Sequence, residues 1–277
     1  MESLTYLKSI LIGIFQGFTE FLPVSSSGHV MLLSEIFGVE LEGAALGSFT
    51  VMLHVGTLIS VLVVYFRRVW DMLRHPIKGD LKWLVVATLP TVLYALLLKA
   101  TGWDAVIDNT ARTLLPFAFC FTAVLMFLAD GIATNRRIAK MTHKHVKFRD
   151  ALSAGLMQCV GTFTGVSRAG STIVGGFASG LDRRSAADFS FLMSMPAIFG
   201  AMVLDGWELY ESGAMAEAFG SHVSVLCAGV LAAFVAGLVA IKLMVAAVKN
   251  VKLKWFGVYL LLLSAAILVN DYVTAIW

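Results

Sequence analysis

The chain has 277 residues, of which 58% are hydrophobic and 14% charged, with a formal net charge of +3. A soluble domain carries about a quarter of its residues as Asp, Glu, Lys and Arg, so the composition excludes an ordinary water-soluble fold and makes lipid the solvent for most of the chain. Cys120, Cys159 and Cys227 stand in separate apolar stretches without disulfide or metal-ligand spacing, and no nucleic-acid partner is expected.

A helix that crosses a bilayer needs about 20 mostly apolar residues. The first apolar stretch, residues 4–38, is broken in its middle by the polar run Pro23-Val24-Ser25-Ser26-Ser27-Gly28-His29. It does not read as a signal peptide, because it holds Gln16 and Glu20 and no small-residue cleavage site follows; it is expected to be retained. Uninterrupted spans are predicted next at 49–66, 83–98 and 114–129. A second broken stretch, 151–180, carries Thr164-Gly165-Val166-Ser167-Arg168-Ala169-Gly170-Ser171-Thr172 at its centre. Three further spans are predicted at 186–204, 223–248 and 255–269. Non-helical backbone at membrane depth is tolerated only where protein covers it or it lines a wet cavity. Each broken stretch is therefore predicted to be a re-entrant helix–loop–helix.

Lys and Arg orient the spans. Arg67, Arg68, Arg74, Lys78 and Lys82 fill one connection, Arg136, Arg137, Lys140, Lys144, Lys147 and Arg149 a second, and Lys249, Lys252 and Lys254 a third. These are expected to be cytoplasmic. Connections holding Glu35, Glu40 and Glu42, Asp104 and Asp108, or Asp205, Glu208, Glu211 and Glu217 are expected outside. At an offset of 142 residues, Gly13, Gln16, Phe21, Val24, Ser25 and Gly28 match Gly155, Gln158, Phe163, Val166, Ser167 and Gly170. The expected fold is an all-α integral membrane protein with six transmembrane helices plus two re-entrant helix–loop–helix elements in an inverted-topology repeat. Repeat 1 covers about 1–131 and repeat 2 about 150–277, joined by a basic cytoplasmic loop over 132–149. Such repeats place their site near the midplane, where the interruptions meet.

Gln16 and Glu20, four residues apart, point from one helix face. An intramembrane carboxylate usually faces a cavity or the bundle interior. Ser25, Ser26 and Ser27 offer hydroxyls, Gly28 permits a turn, and His29 starts the next helix; an interfacial Glu20 with serines that only cap a helix is the plainer alternative. In the second interruption Arg168 is the one cation between Arg149 and Arg183, and its planar guanidinium suits a phosphate. Gly165 and Gly170 let backbone N–H groups approach an anion, and Ser171 and Thr172 open a helix. The competing reading is a structural ion pair of Arg168 with Glu20 or Asp188. His54 is expected in a core or supporting role, with a site role as the alternative. Pairing or snorkelling accounts for Asp188 and Lys242, and no spacing argues for a protein-only metal cage. The residues alone support a midplane phosphate site, and leave enzyme and transporter open.

The run from Gln16 through Glu20 to Pro23-Val24-Ser25-Ser26-Ser27-Gly28-His29, with Gly165-Val166-Ser167-Arg168-Ala169-Gly170-Ser171-Thr172, closely resembles the bacterial undecaprenyl-diphosphatase family, also called the bacitracin-resistance protein family. The likeness extends through Leu53-His54, Arg67-Arg68 and Phe189-Ser190-Phe191-Leu192. The chain departs from the family pattern at Thr164, usually Pro, and at Ala169, usually Ser, so no catalytic hydroxyl is carried over to position 169.

The resemblance implies hydrolysis of undecaprenyl diphosphate to undecaprenyl phosphate and inorganic phosphate. The reaction occurs at the external face of the bacterial inner membrane, recycles the carrier for peptidoglycan and confers bacitracin tolerance. Glu20, Ser26, His29 and Arg168 are the expected catalytic residues; Gln16, Ser25, Ser27, Gly165, Ser167, Gly170, Ser171 and Thr172 are expected to bind substrate. Ser26 or a positioned water attacks, and His29 or Glu20 takes the proton. Glu20 is also the candidate ligand of a divalent cation, Mg or Ca, held through the substrate diphosphate; no organic cofactor is expected. The lipid substrate and the bilayer are the expected partners, with a homodimer as candidate assembly. A transporter or flippase of the phosphorylated carrier is the alternative.

Overall fold

The structure, a computed structural model, describes residues 4–39, 44–76, 79–211, 223–250 and 252–274. Glu40, Glu42, Lys78 and Glu217 lie outside the described residues. All named elements are helical: α1 (Tyr6–Phe21), α2 (Ser26–Ile36), α3 (Ala44–Val64), α4 (Phe66–Arg74), α5 (Leu81–Thr101), α6 (Trp103–Ile138), α7 (Phe148–Val160), α8 (Arg168–Ser179), α9 (Arg183–Glu211), α10 (Val223–Asn250) and α11 (Lys254–Val269). Five of them (α5, α6, α9, α10 and α11) are long and apolar enough to cross a membrane, and α3 with α4 passes the same test as a bent pair. The six predicted spans correspond to these helices and α3.

Two boundaries differ from expectation. The predicted span 49–66 stops at Val64, and the chain bends by 76° into α4, whose Arg67, Arg68 and Arg74 make it too polar to continue an apolar span. The predicted basic loop 132–149 is helical as far as Ile138; Arg136 is held there by donating to the carbonyl of Ala178.

The two broken stretches form hairpins that enter and leave on one side. Lys8 Nζ, near the start of α1, donates to the carbonyl of Gly38, beyond α2, at 3.5 Å. At the base of the other hairpin, His143 N donates to Gly180 O and Asp182 N donates to His143 O, each at 2.9 Å. The arms have 16, 11, 13 and 12 residues, which at 1.5 Å per residue is about 16–24 Å. None reaches the ~30 Å of a hydrocarbon core.

Each hairpin is buried by a long helix. α1 lies on α10 and α7 on α5. These contacts are close because glycine stands at the crossing points: a Cβ at Gly13 would strike the carbonyl of Gly229, and one at Gly155 the carbonyl of Ala87. The two crossing pairs are themselves 142 residues apart. Phe21, Ile173, Phe177, Phe189 and Phe191, all buried, fill the space where both hairpins, α3 and α9 converge, and Phe21 meets Phe191 edge-on at 5.8 Å.

Gly155→Val is expected to lower the thermal unfolding midpoint in detergent, by an amount equivalent to about 1–3 kcal/mol of overpacking. Gly131→Ala, whose Cβ meets open space, should leave the midpoint unchanged or slightly raised.

Candidate active site

The turns of the two hairpins face each other across Glu20. α1 delivers Gln16 and Glu20 from one face, and the chain then passes through Leu22 and Pro23 to Ser25, the N-cap of α2. Ser25 has φ 69° and ψ 102°, a conformation that costs a residue with a Cβ about 1–3 kcal/mol. Its surroundings hold it there: Ser25 Oγ accepts from Gly28 N at 3.4 Å, and its carbonyl accepts from His29 Nδ1 at 2.7 Å. That bend turns Ser26 back toward α1, where Ser26 Oγ donates to Glu20 Oε2 at 2.6 Å.

Ser167 caps α8 in the same way, its Oγ accepting from Gly170 N at 3.0 Å, while Ser167 N donates to Thr122 Oγ1 of α6 at 3.1 Å. Gly165 turns the loop with φ +89°, pressed so close to Ala118 and Leu115 that a side chain has no room. These constraints make Arg168 the first residue of α8, and its guanidinium reaches across to Glu20 Oε1.

His54 of α3 completes the cluster. Its Nδ1–H donates to Thr50 O at 2.7 Å, which fixes the tautomer and leaves Nε2 3.6 Å from Glu20 Oε2. Gln16 Nε2 donates to the same oxygen at 3.0 Å. Glu20 is 5% exposed, so a carboxylate that would be costly in an apolar interior has ionic and hydrogen-bonding partners on both oxygens.

A cavity of about 580 Å³ opens beside this cluster. Its polar wall is formed by Thr19, Glu20, Ser25, Ser26, Ser27, His54, Ser167 and Arg168; the facing wall is the second half of α5, from Thr88 to Leu96, and α9 from Pro196 to Leu204. Of the predicted site residues, Glu20, Ser25, Ser26, Ser27, Ser167 and Arg168 line the cavity, and Gln16 touches it through Glu20.

The others stand behind the wall. His29 is 4% exposed, and both its ring nitrogens are engaged: with Nδ1–H given to Ser25 O, Nε2 is the acceptor for Tyr259 OH at 2.7 Å. Its ring stacks on Tyr259, so His29 stands behind the cavity wall and not in it. Thr172 Oγ1 is shared with Ser190 Oγ at 2.6 Å and with the carbonyls of Arg168 and Ala169. Gly165, Gly170 and Ser171 are packed against α6 or into the core and do not meet the cavity. The imidazole at the cavity is His54. Gln158 and Thr91 are also in the wall, with Gln158 Nε2 donating to Thr91 Oγ1 at 3.0 Å; the one signal for Gln158 in the sequence was its place opposite Gln16 in the repeat.

Among the described residues no three His, Cys, Asp or Glu side chains gather as a metal site. Among the described residues Glu20 is the one carboxylate in the cavity wall, and Gln16 Oε1 beside it is buried with no hydrogen-bond partner among them. These hard oxygen donors fit a divalent cation whose remaining ligands are phosphate oxygens.

The family described as bacitracin resistance protein BacA matches residues 9–266, a region that holds both hairpin turns and every residue named in the cavity wall. The chain belongs to this family. It is similar to the undecaprenyl-diphosphatase of Carboxydothermus hydrogenoformans, 35% identical over 263 residues, which are 95% of this chain and 96% of that one. The undecaprenyl-diphosphatase of Christiangramia forsetii is 37% identical, over 95% and 97% of the two chains. Undecaprenyl-diphosphatase 3 of Bacillus cereus is 34% identical, over 97% and 98%. Family membership and the apolar helices together make this a multi-pass membrane protein.

Tyr259→Phe strands His29 Nε2, a buried acceptor. The thermal midpoint in detergent should fall by the equivalent of about 1–3 kcal/mol.

Proposed function

We propose that the chain is an undecaprenyl-diphosphatase, hydrolysing undecaprenyl diphosphate to undecaprenyl phosphate and inorganic phosphate in the bacterial inner membrane. The observation that carries the reading is the meeting of Glu20, Ser26, His54 and Arg168, from three separate segments, at the wall of one cavity. The names of the relatives that match this chain end to end support it.

In this reading the diphosphate enters between the hairpin turns and draws Arg168 from Glu20 onto its terminal phosphoryl oxygens. Glu20, relieved of its counter-charge, accepts the proton of Ser26 Oγ. That oxygen forms a bond to the terminal phosphorus as the bond to the bridging oxygen breaks, and undecaprenyl phosphate departs. Water then cleaves the phosphoserine: His54 Nε2 takes the water's proton, Glu20 returns the first proton to Ser26 Oγ as that oxygen leaves, and inorganic phosphate is released. A hydroxyl is a weak nucleophile without such a base, and 2.6 Å is the distance at which Glu20 can serve. A divalent cation on Glu20 and Gln16 Oε1 supplies further charge neutralisation when bound.

We also infer that the two halves, about 1–131 and 150–277, insert in opposite orientations. The basic ends of α3–α4 and α6 then face the cytoplasm, and the cavity, running along the later halves of α5 and α9, opens toward the external face.

The test is phosphate release from purified protein given undecaprenyl diphosphate, with and without chelator. Arg168→Ala should lower turnover by about 10²–10³ or more, the effect of losing one donor to developing charge, and Arg168→Lys should restore little because it lacks the planar fork. Ser26→Ala should abolish turnover; substantial remaining activity would make water the attacking group. His54→Ala should cost about 10²-fold, the lower end of an acid–base contribution. A protein that releases no phosphate under any of these conditions is not a diphosphatase.

A further inference from the structure

The cavity at Glu20 does not end at its own walls. A second cavity, of about 390 Å³, lies between α4, α5 and α9, and Thr88, Val92 and Pro196 line both. Past this shared collar its wall is apolar, with Met72, Leu73, Leu81, Leu84, Val85 and Met195 prominent. Among the described residues Thr88 is its one polar side chain, and that hydroxyl is spent on the carbonyl of Leu84 at 2.7 Å. Met72 and Leu84, each 5% exposed, give the space a back wall rooted in the protein core. Its floor exists because the chain bends by 76° after α3 and lays α4 beneath α5. From Leu81 to Val92 the helix advances about 16 Å, enough for several prenyl units.

We propose that this space holds the first prenyl units of the lipid substrate, so that the tail runs from the reaction centre toward α4. The inference rests on the diphosphatase reading, and it assigns the two cavities opposite tasks. Inorganic phosphate is multiply charged and must leave through a wall that can solvate it; the polar cavity has such groups, and among the described residues the α4–α5–α9 space has only Thr88, whose hydroxyl is already donated to Leu84 O. The isoprenoid needs a dry apolar surface joined to the headgroup site, which the collar at Thr88, Val92 and Pro196 provides. Pro196, having no N–H, cannot bond the carbonyl of Leu192, and this break in α9 falls at the junction of the two cavities.

The experiment uses the full chain in detergent and a non-hydrolysable polyprenyl diphosphate with a methylene bridge and a diazirine on its third prenyl unit. Labelling should map to 69–89, on α4 and the first half of α5. Labels confined to the region from Leu96 on α5 or from Phe199 to Leu204 on α9 would overturn the assignment, as would labels scattered over all lipid-facing helices. Because this reads binding, a chain labelled at 69–89 that releases no phosphate refutes the hydrolysis and leaves the tail site standing. Val85→Trp, which fills the groove, should then lower kcat/KM for a long-chain diphosphate about tenfold more than for a single-prenyl diphosphate, roughly the loss of two buried methylenes. Equal losses on both substrates would also overturn it.

Discussion

The ion pair of Glu20 with Arg168 is the interaction on which the rest of the molecule depends. Each charge sits at the tip of a hairpin too short to cross the membrane, with Glu20 buried and Arg168 only partly exposed. Desolvation makes such a pair weak as a source of net stability, yet removing one member leaves the other buried and unpaired at a cost of about 3–5 kcal/mol. The two hairpins are thus bound to each other by what each would lose alone. Pairing also fixes the reaction centre, since Ser26, His54 and Gln16 all converge on the carboxylate oxygen that Arg168 leaves to them.

Polar turns survive at this depth because their backbone and side-chain groups are accounted for locally. Ser25 and Ser167 each cap the helix that follows them, and Thr122 of α6 braces the second turn from outside, accepting from Ser167 N and donating to Gly165 O. His29 does the corresponding work on the first turn, tying Ser25 O through its ring to Tyr259 of α11. Each turn is therefore fastened to one of the last spans of the two halves, α6 or α11, which pack on each other. The braces behind the two turns, Thr122, His29 and Tyr259, do not line the cavity.

Much of this was legible in the chain. Charge depletion gave the solvent, apolar length gave the spans, and the paired interruptions marked where the hairpins turn. What the chain did not show was which way particular side chains point. His29 stands three residues from Ser26 in sequence, but on α2 that spacing carries it toward α11 rather than toward Glu20. His54 stands in α3, apolar on every side, so no hydrophobic periodicity shows which face turns inward; its direction follows from how α3 seats on α10. The bend after Val64 was hidden for a related reason: apolar residues run on through Phe66, past the bend, before Arg67 and Arg68. Tyr259, in an apolar span, gave no sign that it would meet a histidine 230 residues away.

The position of the cavity has its own cause in side-chain volume. Between α3 and α10 the backbones nearly touch: a Cβ on Gly56 would meet the carbonyl of Val230, one on Gly237 would meet Ser60, and Ser60 Oγ itself donates to Phe234 O at 2.8 Å. At the 142-residue offset, Gly56 and Ser60 fall opposite Ile198 and Met202 of α9, while Ala233 and Gly237 fall opposite Thr91 and Ala95 of α5. The second seam therefore carries larger side chains where the first carries glycine and serine, and its helices cannot close to the same distance. Ile198, Thr91 and Ala95 line the opening that results. The packing of one seam and the chamber in the other arise from the same helix pairing, with a few atoms of side chain deciding which of them seals.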